Sequence, residues 1–439
     1  MFIEARDLNE NRDFISADSL LNIALELDPD FALAHFSRRD PAGKSRAFQL
    51  IDQVSSGEAF MIKAGKALRD RNYELINIMV DSLLMLHPRD VHCLHFAGGI
   101  TQDEEKKMEF LNKAIKLDRN YAAPYLYGGM VLMVLDDYET AKEYFNKYLD
   151  LKPYSGYGLV TYAHLLRNTG HEDEALILWL RAIRVNPTFF NSYLFVIWIY
   201  YRRSEIDLVS KYTDLMYDIS KTVRFKQLAL QWKANVQLIR GNLNAALELM
   251  DQIIQLYKEN DDLRGEMSMR YLKGWFALRG NQPELALSIL ESNLQMANQV
   301  EKEESLKTSY MIRNYGCLSI IYGEIKDTAK AGEFLSRARE LFIMTDQSSD
   351  SNYMSLFEGV YALNMGDYES AKAYLSHREN QWNHAYQYYI AETYRLTGQN
   401  EEAIKHYRAA TNKDYHLVNQ YWTALFYNES MIRLEELTE

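Results

Sequence analysis

The stretch GYGLVTYAHLLRNTGHEDEALILWLRAIRVNPT, residues 156–188, decides the fold of this chain of 439 residues. Ala163 lies seven residues before Gly170, and Ala175 lies five residues after it. A small residue in one helix lets a second helix approach closely, and glycine readily adopts the left-handed turn between two helices. The stretch therefore predicts a helical hairpin, which Pro187 ends because proline cannot continue a helix.

The same spacing of small residues around a turn glycine recurs elsewhere in the chain. The further copies are Ala234/Gly241/Ala246, Gly359/Gly366/Ala371 and Ala391/Gly398/Ala403. Stacked copies of one hairpin bury a continuous core between neighbours, so the recurrence predicts a solenoid. A solenoid fold offers an extended surface and does not by itself specify a chemical activity. Its function therefore has to be argued from the residues on that surface.

This pattern resembles the tetratricopeptide repeat, a helical pair of about 34 residues with small residues where the helices cross. Residues 122–154 form another copy through Gly129, Ala141 and Phe145, although Asp136 replaces the turn glycine. The resemblance covers nearly the whole chain and is closest to bacterial proteins with many repeats. It implies an all-α, right-handed superhelical solenoid of about eleven hairpins with a C-terminal capping helix.

The repeat length changes near residue 220. Earlier copies keep close to the 34-residue period, whereas the copies that start at Met267, Ile312 and Asn352 are 40 to 45 residues apart. We therefore expect two arrays, residues 1–220 and residues 221–439, with longer helices or loops in the second.

The beginning of the first array is irregular. FISADSLLNIALELDP, residues 14–29, matches the second half of a repeat, so Met1 falls inside a truncated first helix, and the second repeat is compressed to about 25 residues. Because a solenoid end normally carries a polar cap, we expect the natural protein to have a segment before Met1. This segment would be a signal peptide, a membrane anchor or another domain. The alternative is that the first helix is short and that no segment is missing.

Composition excludes several classes of function. A net charge of -12 argues against a nucleic-acid partner, which needs a concentrated basic surface. The nearest basic group is interpreted as a solvated loop and consists of Arg38, Arg39, Lys44 and Arg46. The longest apolar run, residues 193–201, is far shorter than the roughly 18 residues of a membrane helix, so no membrane insertion is expected.

The two cysteines, Cys93 and Cys317, lie far apart in a fold in which each repeat contacts only its neighbours. A disulfide between them is not expected. Reduced thiols are compatible with the cytoplasm, which is the predicted compartment. The bacterial periplasm or envelope is the alternative if an N-terminal signal was removed.

Motifs for catalysis, metal binding or cofactor binding are missing from the sequence. AGKS, residues 42–45, lacks the first glycine and the preceding strand of a phosphate-binding loop. His87, His92, Cys93 and His95 form the densest group of metal-type ligands, but no second pair at zinc-site spacing accompanies them. We interpret this group as a repeat junction with a buried thiol and exposed imidazoles, and we expect no enzyme, no metal and no cofactor.

The resemblance implies that the first helix of each hairpin faces the concave side of the superhelix and selects the partner. Carried over helix by helix, the candidate partner-binding residues are Leu126, Met130, Met133, Tyr157, His164, Arg167, Asn191, Leu194, Trp198, Tyr201, Gln231, Asn235, Tyr271 and Trp275. Such an aromatic and apolar lining suits an extended peptide or an amphipathic helix. Aromatic residues at helical spacing are also typical of a core, and for Trp198 and Trp275 both interpretations stay open.

Two functions follow as expectations. The first is a non-catalytic protein–protein interaction scaffold that binds a peptide or a partner protein on the concave face. The alternative is an effector-sensing repeat segment of a larger bacterial regulator whose N-terminal domain is missing. An exposed apolar groove would favour the scaffold, and a closed polar pocket would favour the sensor.

Overall fold

The computed structural model describes residues 1–300, 304–345, 351–376, 384–412 and 420–438. Within these ranges the chain forms 25 α-helices and one short 3-10 helix, and none of these residues lies in a β-strand. The predicted all-α class is confirmed. No helix in the described ranges is both long and apolar enough to cross a membrane.

The chain divides into two compact units, Met1–Val196 and Ile197–Glu439, which we call unit 1 and unit 2. The boundary falls within helix α13, Phe190–Arg202. The predicted arrays, residues 1–220 and 221–439, are defined by repeat length rather than by compactness, and that division stays a prediction.

Unit 1 contains twelve complete helices in the order of the chain. They are α1 (Phe2–Glu10), α2 (Phe14–Leu27), α3 (Ala32–Ser37), α4 (Pro41–Gln49), α5 (Ser56–Arg69), α6 (Tyr73–Leu86), α7 (Val91–Ile100), α8 (Glu104–Leu117), α9 (Ala123–Val134), α10 (Tyr138–Leu151), α11 (Gly156–Asn168) and α12 (Glu172–Val185).

Consecutive helices of unit 1 pair, from α1 with α2 to α11 with α12. The first helix of each pair also contacts the first helix of the next pair. We call the surface formed by α1, α3, α5, α7, α9 and α11 the first-helix face of unit 1. The helices approach closely because small residues stand at the crossings; Ala163 and Ala175, for example, are both fully buried.

The described helices of unit 2 that follow α13 are α14 (Ile206–Asp218), α15 (Val223–Ile239), α16 (Leu243–Glu259), α17 (Leu263–Arg279), α18 (Pro283–Asn298), α19 (Glu304–Glu324), α20 (Thr328–Thr345), α21 (Ser351–Asn364), α22 (Tyr368–Leu375), α23 (His384–Leu396), α24 (Asn400–Ala410) and α25 (Gln420–Thr438). The helices lengthen from 13 or 14 residues in α10–α14 to between 16 and 21 residues in α15–α20. Pairing continues from α15 with α16 to α23 with α24. The first-helix face of unit 2 consists of α15, α17, α19, α21 and α23.

In most hairpins the turn is built on one residue with a left-handed backbone, whereas the α3–α4 and α7–α8 turns contain no such residue. Gly170 has a φ of 83°, and the backbone N–H of His171 donates to the carbonyl oxygen of Leu166 at 2.8 Å. The turn without a glycine has the same geometry: Asp136 has a φ of 57°, and Asp137 donates to Leu132 at 2.9 Å. This backbone hydrogen bond satisfies a carbonyl at the helix end whatever the side chain is. Degenerate copies therefore keep the fold.

The predicted C-terminal cap is only part of the role of α25. This helix packs on α24, the last helix of the final pair, as a cap would. It also contacts α15, α17 and α23, which belong to the first-helix face of unit 2. The handedness of the superhelix and the number of about eleven repeats stay predictions.

The left-handed turn yields a stability prediction. Gly170→Ala should lower the free energy of unfolding by about 1 kcal/mol, because an L-residue pays a steric cost at this φ. Gly156→Ala is the matched control: Gly156 lies in α11, and a Cβ there would meet only the Cβ of Asn186 at 3.7 Å. Urea unfolding followed by circular dichroism measures both variants. Equal stability of Gly170→Ala and the wild type would contradict this account of the turn.

Candidate functional site

The candidate residues on α9 and α11 lie together on the first-helix face of unit 1. Met130 and Met133 on α9 are half-buried, as are Tyr157, His164 and Arg167 on α11. We call these five residues the α9–α11 strip. Leu126, the sixth candidate on these helices, is fully buried and belongs to the core.

His164 is held by aromatic rings at the edge of the strip. Its ring lies 4.4 Å from the ring of Phe195 and 5.6 Å from that of Trp179, both in edge-to-face geometry. The guanidinium of Arg167 lies 5.8 Å from the Phe195 centroid. Burial, with a smaller effect of the Arg167 charge, lowers the pKa of His164 to about 4. The imidazole is therefore neutral at pH 7, and the strip presents mainly thioether, aromatic and neutral polar surface.

The candidates of unit 2 lie at the end of α13 and on α15 and α17 of the first-helix face, and most of them are covered. The structure leaves less than a tenth of each side chain exposed for Tyr201, Gln231, Asn235, Tyr271 and Trp275. Trp198 is half-buried, and the Arg202 guanidinium lies 4.8 Å from its ring centroid. Leu194 is half-buried and Asn191 is exposed; both lie on the part of α13 that belongs to unit 1.

The chain's own α25 lies on this face of unit 2. Phe426 is fully buried, and its ring lies 6.2 Å from that of Trp275 and 5.1 Å from that of Tyr388. The side-chain amide of Asn428 donates to the backbone carbonyl of Leu238 at 2.9 Å. A helix of the chain itself thus covers Trp275, and a partner could reach Trp275 only after α25 moved.

An ion pair fixes α25 on α17. Arg279 Nη1 lies 3.3 Å from Glu429 Oε2, and Arg279 also pairs with Glu324 of α19. Only 9% of the Arg279 side chain is exposed, so water screens this pair weakly. Breaking the contact with Glu429 would leave a buried guanidinium with one fewer partner, which makes release of α25 costly.

A cavity of about 730 Å³ lies on the first-helix face at the other end of unit 1. It is lined by residues of α1 to α5, α7 and α9, by the segments that follow α1 and α3, and by Asp90 just before α7. The lining includes residues to which the sequence analysis gave no function, namely Arg39, Lys44, His92, Cys93 and His95, whereas His87 does not line the cavity. Three interpretations are corrected here. Lys44 is half-buried on α4 rather than part of a solvated loop, His95 is buried rather than exposed, and the Cys93 thiol is half-buried rather than buried.

Burial controls the titratable groups of the cavity wall. It lowers the pKa of His95 to about 4, so this imidazole is neutral at pH 7. Burial, together with the negative charge of Asp90, raises the pKa of the Cys93 thiol to about 12, which makes it a poor nucleophile. Burial also lowers the pKa of Lys44. No cluster of His, Cys, Asp and Glu in the described part of the chain has the arrangement of a metal site.

The residues of α1 were not among the sequence candidates, although Phe2, Arg6, Asn9 and Glu10 line the cavity. Residues three or four positions apart share a helix face, so the sequence does indicate that these four side chains lie on one face of α1. The sequence does not show that this face meets α7 and α9, because those contacts join residues more than 80 positions apart.

Comparison with known proteins identifies the repeat type. A family model described as tetratricopeptide repeat matches residues 127–155, from α9 to the residue before α11. The recognition of this repeat is confirmed. A TPR repeat-containing protein of Methanocaldococcus jannaschii is 25% identical over 121 residues. That match covers 27% of this chain and 21% of the relative, so it spans about a fifth of the relative's length.

Solved structures with a similar architecture include the APC/C hetero-tetramer Cut9–Hcn1. The TM-score is 0.47 at 15% identity, over 88% of this chain and 73% of that one. YrrB, described as a TPR protein with an unusual peptide-binding site, gives a TM-score of 0.33 at 18% identity, over 40% of this chain and 91% of that one. Neither similarity bears on what this chain binds.

The α25 contact yields a second stability prediction. Phe426→Ala should lower the free energy of unfolding by about 3–5 kcal/mol and speed hydrogen exchange in α25, because it leaves a cavity beside Trp275. Ile432→Ala on the same helix is the control, since Ile432 is 54% exposed and should change stability by less than about 0.5 kcal/mol. Similar effects of the two variants would show that α25 is not packed on this face.

Proposed function

We propose that this chain is a non-catalytic protein–protein interaction scaffold that binds an apolar peptide segment of a partner protein on the α9–α11 strip. The observation that carries the proposal is the position of the strip. Met130 and Met133 lie inside the matched repeat, and the strip keeps its side chains partly exposed where the corresponding face of unit 2 is covered.

The chemistry of the strip favours an apolar segment. Methionine side chains are flexible and polarizable, so Met130 and Met133 adapt to aliphatic or aromatic partners. Tyr157 adds a large contact area with a polar end, and neutral His164 adds hydrogen-bonding capacity without a charge. Arg167 supplies a cation at one end, and guanidinium groups are frequent in binding hot spots.

A second candidate function is effector sensing, and one observation favours it: the cavity between α1 and α9 has polar and charged groups in its wall. In that case the repeats would bind a small molecule and respond to it. The absence of a nucleic-acid partner and the cytoplasmic location, with the periplasm as the alternative, stay predictions.

The scaffold proposal predicts that two carboxylates introduced into the strip reduce capture of the partner protein. Met130→Glu/Arg167→Glu should lower recovery of a specific partner from lysate at least tenfold, because two carboxylates would have to be desolvated against an apolar segment. Ile177→Glu/Arg184→Glu on α12 is the matched control. Both positions are exposed on a second helix, and the change in net charge is the same. The bound partner should also slow hydrogen exchange in α9 and α11.

Two results would contradict this proposal. The first is equal recovery by the strip variant and the wild type when circular dichroism shows equal helix content. The second is equal loss in the strip variant and the α12 control, which would assign the effect to net charge rather than to the strip.

A further inference from the structure

The cavity of unit 1 has the size of a small-molecule site. Its volume of about 730 Å³ lies within the range of roughly 300–1,000 Å³ found for ligand pockets. The wall is largely aromatic, from the rings Phe2, Phe14, Phe36, Phe48, Phe96 and Tyr127. These rings provide flat apolar surface for the body of a ligand.

Positive charge is concentrated around this cavity, although the whole chain is acidic. The wall contains five cationic side chains, Arg6, Arg12, Arg39, Lys44 and Arg69, and two carboxylates, Glu10 and Asp90, an excess of three positive charges. The chain as a whole carries a net charge of -12. A local excess of this sign attracts anions into the cavity.

The two arginines beside Phe14 form the cationic end of the cavity. The guanidinium of Arg39 lies 4.2 Å from the Phe14 centroid, and that of Arg12 lies 5.7 Å from it. None of the ion pairs among the described residues neutralises either guanidinium, whereas Arg6 and Arg69 have the carboxylates of Glu10 and Asp70 within 4.0 Å. Guanidinium groups bind oxyanions through paired N–H donors. Arg12 and Arg39 are therefore suited to an anionic group.

Several buried polar atoms of the wall lack a hydrogen-bond partner within the described structure. They are Arg6 Nε, Asn9 Oδ1, Glu10 Oε2, Arg12 Nε and His95 Nδ1. His95 is 95% buried, and its neutral ring can donate or accept one hydrogen bond at each nitrogen. Buried polar groups are normally paired, so this cluster leaves hydrogen-bonding positions on the cavity wall that water or a bound ligand can fill.

The N-terminal hairpin closes the cavity against a continuous peptide. Asp7 of α1 pairs with Lys152 at 2.9 Å, and Arg12 lies 4.7 Å from the Tyr127 centroid. These contacts join the start of unit 1 to α9 and to the end of α10. An extended chain running along the first-helix face would have to break them, whereas a compact ligand would not.

We propose that this cavity binds a small organic anion: a carboxylate, sulfonate or phosphate group joined to an aromatic or apolar body. The anionic group pairs with Arg12 and Arg39, and the body packs on the aromatic wall beside Phe36 and Phe96. The cavity borders the α9–α11 strip, because the Arg12 guanidinium lies 5.8 Å from the ring centroid of Tyr157. Met130, Met133, His164 and Arg167 do not line the cavity, so the inference does not depend on the scaffold proposal.

The test compares two fluorescent probes that differ only in charge. 1-Anilinonaphthalene-8-sulfonate carries a sulfonate, and N-phenyl-1-naphthylamine is the same aromatic body without it. We expect saturable binding of one sulfonate per chain, at least tenfold tighter than binding of the neutral amine. Arg12→Gln/Arg39→Gln should weaken sulfonate binding at least tenfold and leave the neutral amine unchanged.

A steric variant locates the probe in the cavity. Gly99 of α7 lines the cavity, and a Cβ there would meet only Tyr127 Cε1, at 3.9 Å, so Gly99→Leu adds a side chain to the cavity wall. It should abolish sulfonate binding. Gly156→Leu is the control, because Gly156 does not line the cavity and a Cβ there also meets no close neighbour. Circular dichroism and melting curves of all variants exclude binding of the dye to partly unfolded chain.

Three results would overturn the proposal: equal affinity for the two probes, sulfonate binding that survives both Gly99→Leu and Arg12→Gln/Arg39→Gln, or no saturable binding of either the sulfonate dye or the smaller naphthalene-2-sulfonate. Capture of a protein partner depends on other residues, Met130 and Arg167. Failure of one proposal is therefore distinguishable from failure of the other.

Discussion

A hairpin of this chain can bury its apolar faces only against neighbouring hairpins, and the rest of the structure depends on that constraint. Pairs such as Ala163 and Ala175 allow the helices of one hairpin to approach closely, and in turns such as the one at Gly170 a left-handed residue directs the second helix back along the first. Each hairpin added to the stack then buries the apolar face of the hairpin before it. It leaves two surfaces outside the stack, the row of second helices and the row of first helices, and the candidate residues lie on the row of first helices.

The first-helix face is covered in unit 2 and partly open in unit 1. In unit 2 the chain covers it with α25, through the Phe426 contact with Trp275 and the buried pair of Arg279 and Glu429. In unit 1 the N-terminal hairpin covers part of the face but does not fill it, and a cavity with an aromatic wall and cationic side chains remains. Beyond that cavity, α9 and α11 stay partly open. The first-helix face is thus covered in unit 2, whereas in unit 1 it contains a pocket and an exposed strip.

Electrostatics distinguishes the pocket from the rest of the chain. Acidic residues predominate over the whole sequence, yet the residues brought together by α1, α4 and the segments after α1 and α3 are mainly basic. Arg12 and Arg39 are 27 positions apart and meet at Phe14. Stacking on an aromatic ring holds a guanidinium in place without neutralising it, and this preserves its charge for a ligand.

The sequence by itself determined the all-α class, the hairpin unit and the turn positions, because these follow from contacts within about 34 residues and from backbone conformations that particular residue types favour. It also selected half-exposed Met130 and Arg167 along with buried Tyr271 and Trp275, since helical periodicity cannot tell a groove from a core. Only the tertiary structure decided which first helices are covered. That outcome rests on contacts such as Asn428 with Leu238, 190 positions apart, and Asp7 with Lys152, 145 positions apart. Such contacts depend on how small rotations between successive hairpins add up along the stack, and no local pattern records that sum.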